Sequence, residues 1–111
     1  MSEPGSLVRT LSGRQSARNF HSYVINEVGI AIASGRQAVG SILPNDAEMM
    51  DAYGVSRTVL REALKPLEAK GLVEARAKVG TRVLPRNRWN LFDRQVLGWI
   101  QESGPDAAFL S

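Results

Sequence analysis

The run Gly54-Val55-Ser56-Arg57-Thr58-Val59-Leu60-Arg61-Glu62-Ala63-Leu64 constrains the fold of this chain more than any other segment. Gly54 and Val55 make a small turn, and Ser56 stands where it can cap the helix that follows. At about 100° per residue, Arg57, Arg61 and Lys65 fall within one narrow sector of that helix. Leu60, Ala63, Leu64 and Leu67 fall on another, centred well over a quarter turn away. One stripe is built for burial. The other points Arg57, Arg61 and the Thr58 hydroxyl outward near a helix N-terminus, the equipment for entering a DNA major groove.

The flanking segments punctuate cleanly. Phe20, Val24, Ile25, Val28 and Ile32 recur at three- and four-residue spacing, which predicts an amphipathic helix from Phe20 to about Arg36. Gly35 sits where such a helix stops. His21, near its start, reads as a surface or capping histidine. Ser41-Ile42-Leu43-Pro44 is short and extended, because the residue before a proline is pushed out of helical geometry. Asn45-Asp46-Ala47-Glu48 then has the form of a capping box, opening a second helix that runs to about Ala52. The third helix, capped by Ser56, is predicted to end near Lys70, with Gly71 as its left-handed stop. Pro66 lies inside it. It removes one backbone hydrogen bond and crowds the Glu62 carbonyl, at roughly 3 kcal/mol in an exposed helix, so a kink or a distorted last turn is expected. The first two turns, which carry the arginines, lie upstream of that conflict.

Leu72-Val73-Glu74-Ala75-Arg76 and Thr81-Arg82-Val83-Leu84 read as two short strands around Ala77-Lys78-Val79-Gly80, a hairpin whose turn Gly80 supplies. Its tip is basic, and a basic hairpin after a helix-turn-helix is a wing. The fold expected is therefore α+β: a winged helix-turn-helix over residues 19–85, with three helices, a two- to three-stranded β wing and a short linker helix beyond.

Charge concentrates on the same part of the chain. Between Ser56 and Arg88 there are nine basic residues against three acidic ones, whereas Ser41 to Val55 carries Asp46, Glu48 and Asp51 with no basic residue at all. The net charge of +3 understates this local footprint for a polyanion. Residues 1–18 are rich in Ser, Gly and Arg and read as a flexible tail; the composition suits an arm that touches DNA phosphates and equally an organellar transit peptide. Residues 86–111 change character. Arg86 to Asp93 looks like a linker with large apolar anchors, and Asp93 can cap a short helix bearing Val96, Leu97, Trp99 and Ile100. Trp89, Phe92, Trp99 and Phe109 either cover the winged domain or face a second domain, and Pro105 to Ser111 reads as the start of another helix.

Several chemistries are excluded or poorly supported. The 111 residues hold no cysteine, so disulfides, thiolate metal sites and thiol nucleophiles are ruled out. A single histidine cannot form a histidine metal cluster, and no metal or cofactor is expected in this segment. No apolar run approaches a membrane span, and there is no secretory signal, so a cytoplasmic protein is the expectation. An enzyme is not expected. Ser56 has no histidine or lysine in triad relation and is explained by its capping position.

With these residues assembled, the chain resembles the N-terminal DNA-binding domain of the GntR family of bacterial transcription regulators, and within it the FadR-type subfamily. The resemblance covers roughly Phe20 to Ile100. It rests on Leu43-Pro44 before a capped helix, Gly54 to Thr58, Leu60 to Leu64, Leu67-Glu68-Ala69, Gly71-Leu72-Val73 and Gly80-Thr81-Arg82-Val83. It implies a DNA-binding repressor that works as a homodimer on a short palindromic operator of double-stranded DNA in the bacterial nucleoid. By the same resemblance, Ser56, Arg57, Thr58 and Arg61 match residues that contact bases and phosphates, and Lys78 and Gly80 match a wing tip that approaches the minor groove. Arg57 is the candidate for bidentate guanine readout, and Arg61 for a second base or a phosphate. Ser56, Thr58 and Thr81 are candidate phosphate-positioning groups, and Lys65 and Arg82 complete the DNA-facing set. The linker Trp89-Asn90-Leu91-Phe92-Asp93 is similar to that of members regulating sugar-acid catabolism. Two residues depart from the pattern: Ala47 stands where many relatives carry a DNA-contacting arginine, and Pro66 replaces an apolar helix residue. The helical effector domain that binds a metabolite in such regulators is recognisable only from about Asp93 onward, as expected of a truncated product. A winged-helix protein-interaction module without sequence-specific reading is the alternative, against which the Arg57, Arg61 and Lys78 face argues.

Overall fold

A single long helix, α1 (Gly13–Ser34), is the post on which the third and the last helices of the structure pack. This computed structural model describes residues 13–104, with side chains from Asn19 onward. Most of the tail expected over 1–18, and the helix start expected at 105–111, lie outside the described residues. After α1 come α2 (Asp46–Tyr53), α3 (Arg57–Ala69), β1 (Val73–Arg76), β2 (Gly80–Val83), a 3-10 turn (Arg86–Arg88) and α4 (Arg94–Glu102). Among the described residues this is the α+β winged helix that the sequence predicts.

Helix α1 begins at Gly13, seven residues before the predicted start at Phe20. The apolar stripe does begin at Phe20. Arg14, Gln15, Ala17 and Arg18 include good helix formers but carry no hydrophobic period, which is the signal the predicted start relied on. Val24, Val28 and Ile32 are buried, and α1 meets α3 through Leu60, Ala63 and Leu67, all fully enclosed. Each of these Val, Leu and Ile side chains contributes about 1.5–3 kcal/mol on leaving water, Ala63 less, and together they fix the direction of α3. Phe20, the first residue of the stripe, is half exposed. His21 departs from its surface or capping reading: it is partly buried, and its Nε2 has no hydrogen-bond partner among the described residues.

The caps fall where the sequence places them. Asn45 Oδ1 accepts from the Glu48 amide at 2.8 Å, and Glu48 Oε1 accepts from the Asn45 amide at 3.0 Å, a complete capping box. Ser56 Oγ accepts from the Val59 amide at 3.2 Å and opens α3. Helix α3 runs through Pro66 to Ala69 as one element, with the Lys70 amide donating to the Pro66 carbonyl at 2.9 Å. The helix is therefore continuous through the proline, whose missing donor would have met the carbonyl of Glu62, an exposed residue. Gly71 closes it with φ 83, and a Cβ there would collide with the Arg88 carbonyl, so both conformation and space demand glycine.

Strands β1 and β2 pair antiparallel, with Val73 opposite Val83 and Arg76 opposite Gly80. The extended segment before α2 adds a partial third strand. Ile42 bridges Arg82, the Leu43 amide donates to the Thr81 carbonyl at 2.8 Å, and the Val83 amide donates to the Ser41 carbonyl at 2.9 Å. The wing is thereby tied to the α1–α2 connection as well as to α3.

The C-terminal segment folds back on the winged domain. Trp89 is buried and its Nε1 donates to the Leu84 carbonyl at 2.9 Å, with the Arg86 guanidinium 5.6 Å from its ring centroid. Asp93 caps α4 by accepting from the Gln95 and Val96 amides. Trp99, 3% exposed, lies against Gly29 of α1, and its Nε1 donates to Asn26 Oδ1 at 2.9 Å. Of the two arrangements open to the aromatic residues, Trp89 and Trp99 take the first and cover the domain. Phe92 stays 94% exposed, and Phe109 lies outside the described residues.

Candidate nucleic-acid interface

The candidate interface is the solvent face of α3 together with the wing. Burial of Leu60, Ala63 and Leu67 against α1 turns the opposite sector outward, so Arg57, Thr58, Arg61 and Lys65 are all exposed. The cap at Ser56 engages its oxygen as an acceptor, which leaves the hydroxyl hydrogen as a donor at the helix N-terminus, where the backbone amides and dipole favour an anion. The geometry suits phosphate contact by the start of α3 and groove contact by its next turn.

Arg57 and Arg61 are not independent. Both converge on Asp46, the first residue of α2: Arg61 Nη1 lies 3.3 Å and Arg57 Nε 3.9 Å from Asp46 Oδ2. Sequence reasoning assigned Asp46 only to a capping segment. The two arginines lie 11 and 15 residues further on, and helix periodicity carries no signal across the intervening turn. The acidic stretch Asp46 to Asp51, opposite so basic a helix, was the one feature that marked the region. Lys65 pairs within its own helix, Nζ to Glu62 Oε2 at 3.0 Å.

The wing divides its residues between two faces. Thr81 lines the same shallow groove as Asp46, Arg61, Lys65 and Glu68, so β2 and α3 present one continuous concave surface. Successive strand residues alternate. Arg82 accordingly points to the outer face of the hairpin, on the side of Glu74 and Arg76, whose side chains pair at 3.5 Å. Lys78 and Gly80 form the exposed tip. Gly80 has φ 115, as its turn role requires, but Lys78 also takes a left-handed conformation with φ 67. The sequence gives no reason to expect that of a lysine. Thus α3 and Thr81 share the groove, the tip projects Lys78, and Arg82 faces away from the groove.

The model for bacterial regulatory proteins of the gntR family matches residues 22–83, which take in the C-terminal part of α1, all of α2 and α3, and the wing. The chain belongs to the GntR family. The uncharacterized HTH-type transcriptional regulator YieP of Escherichia coli (strain K12) is 44% identical over 91 residues, 80% of this chain and 40% of that protein. The galactonate operon transcriptional repressor of the same organism is 36% identical over 88 residues, 79% of this chain and 38% of that protein. The fatty acid metabolism regulator protein of Shewanella pealeana is 39% identical over 67 residues, 60% of this chain and 27% of that protein. The chain therefore spans about two fifths of the length of the first two relatives. What the GntR match and the winged fold share is a sequence-specific DNA-binding domain of a transcription regulator. Among the described residues, no helix is long and apolar enough to cross a membrane, and no group of three or more His, Asp or Glu side chains is placed to hold a metal ion.

Proposed function

We propose that this domain reads a palindromic operator as one half of a homodimer, with α3 in the major groove and the wing tip at the flanking minor groove. The exposed row of Arg57, Thr58 and Arg61 on a helix anchored from behind by Leu60, Ala63 and Leu67 supports this reading most. Arg57 is the residue for bidentate guanine contact. Arg61 serves a second base or a phosphate, Ser56, Thr58 and Thr81 position phosphates, and Lys65, Lys78 and Gly80 add contacts outside the base edges, whereas Arg82, opposite Glu74 on the outer face of the hairpin, faces away from the groove. In the cell it acts in the cytoplasm on nucleoid DNA, as the reading head of a metabolite-responsive repressor. The names of two relatives, a galactonate operon repressor and the Uxu operon transcriptional regulator of Escherichia coli, support control of sugar-acid catabolism. No cofactor is assigned to this segment.

A single module reads one half-site, so pairing two modules raises effective concentration on the full palindrome. Selection of duplexes from a randomised pool tests the reading. An enriched inverted repeat whose half-sites lie about one helical turn apart, at 10–10.5 base pairs centre to centre, is the expected result. Enrichment of nothing, with binding indifferent to salt, overturns it. Leu91 and Phe92, exposed on the linker, favour a second reading as a protein-interaction module, which binding that survives Arg57→Ala and high salt would select.

A further inference from the structure

The carboxylate between Arg57 and Arg61 does more than hold them. We propose that Asp46 is a specificity-determining residue of this DNA-binding face, whose charge lowers binding to phosphate alone. This inference rests on the reading that Arg57 and Arg61 face the bases.

The stabilising value of the contacts is small. Arg57 and Arg61 side chains are 62% and 67% exposed and Asp46 is 34% exposed, and ion pairs in such surroundings contribute about 0–1 kcal/mol. The capping of α2 does not need Asp46 either, because Asn45 and Glu48 complete the box between them. Glu48 also places an acid in the first turn, where the helix dipole favours one. What Asp46 supplies is a negative charge that pairs with both arginines, in the groove that Arg61, Lys65, Glu68 and Thr81 line. No basic residue between Ser41 and Val55 offsets it from its own side.

The carboxylate acts differently on the two kinds of duplex. A duplex held only by its phosphates brings anions toward Asp46 and competes with it for both guanidiniums, so the carboxylate weakens sequence-independent binding. A duplex whose base edges engage Arg57 and Arg61 meets side chains already gathered at one point, which lessens the freedom lost on binding. A carboxylate can also accept from a cytosine amino group, a partner that phosphate does not offer. Each effect widens the gap between a correct site and random DNA.

The test uses the 111-residue chain and its Asp46→Asn, Asp46→Ser and Asp46→Glu variants, with melting curves confirming that each is folded. Binding is followed by fluorescence anisotropy on the duplex enriched from the pool by the wild type and on a scrambled duplex, from about 50 to 200 mM salt. The neutral variants are expected to bind the scrambled duplex about threefold tighter or more, the effect of one unit charge some 6 Å away in a watery surrounding. Their log affinity against log salt should steepen by about 0.9, one further phosphate neutralised. The preference for the enriched duplex should fall accordingly, and Asp46→Glu should keep the wild-type ratio and slope. Unchanged scrambled binding and slope in both neutral variants would overturn the inference while leaving base reading intact. An Arg57→Ala, Arg61→Ala double variant that keeps the wild-type preference would instead overturn base reading, and the role of Asp46 with it.

Discussion

Lys70 and Asp93 join the end of the recognition helix to the start of the linker helix, with Nζ 2.9 Å from Oδ2. Asp93 uses its other oxygen to cap α4, so one carboxylate serves two elements. The Asn90 amide, donating to the Lys70 carbonyl at 2.8 Å, fastens the same junction through the backbone. Any displacement of α4 therefore reaches α3 by a short path.

That junction carries a pH dependence. The hydrogen bond from Lys70 holds the Asp93 carboxyl below its ordinary value, with the Val96 and Gln95 amides acting in the same direction. A carboxyl depressed in the folded state adds stability above its unfolded pKa of about 3.9, and loses it as pH falls through the lower folded value. Thermal unfolding followed by circular dichroism should show this acid limb in the wild type and lose part of it in Asp93→Asn, which keeps a capping side chain. Asp93→Ala should cost about 1 kcal/mol or more at neutral pH through the lost cap. An identical acid limb in Asp93→Asn would contradict the assignment.

Two helix glycines should respond with opposite signs. A Cβ at Gly29 would lie 2.5 Å from the Trp99 ring, whereas one at Gly98 meets nothing within 4 Å. Gly98→Ala should stabilise by up to about 1 kcal/mol, the helix propensity difference. Gly29→Ala should destabilise by about 1–3 kcal/mol, because the overpacked indole must leave its place and its bond to Asn26. Denaturant midpoints compare the two directly, and stabilisation by Gly29→Ala would mean that Trp99 does not seat there.

Which of these features sequence reveals follows from their range. The Asn45–Glu48 box, the Ser56 cap and the Gly71 stop are each written within a few neighbouring residues, and all three are found in place. The buried face of α3 follows from periodicity in the same way. Asp46 with Arg61, and Trp99 with Asn26 across 73 residues, depend on how helices cross, which no local pattern encodes. The early start of α1 escaped for another reason: a polar helix extension leaves no hydrophobic period. The left-handed Lys78 escaped because residue preference argues against it.

Pro66 can be replaced with gain. Its ring nitrogen cannot donate to the Glu62 carbonyl, and α3 tolerates it only because neighbouring bonds such as Lys70 to Pro66 persist. Pro66→Ala should raise stability by about 1–3 kcal/mol, measured by chemical denaturation, with affinity for the enriched duplex unchanged. A loss of stability would show that the proline's packing outweighs the missing bond.

Lys78 should show the reverse trade. A non-glycine residue in the left-handed region costs about 1–2 kcal/mol, so Lys78→Gly should stabilise the domain by about that amount. It should also weaken DNA binding and make the salt slope shallower by about 0.9, the loss of one phosphate-neutralising charge. Paired melting and salt titrations read both effects, and an unchanged slope would remove Lys78 from the interface.

Reading of bases by Arg57 and Arg61 is tested most directly by anisotropy titration of the enriched and scrambled duplexes with wild type, Arg57→Ala and Arg61→Ala. Base reading predicts that Arg57→Ala loses about 1–3 kcal/mol on the enriched duplex, and that the preference over scrambled DNA shrinks with it. Equal losses on both duplexes, or none on either, would contradict it and leave the arginines as surface charges.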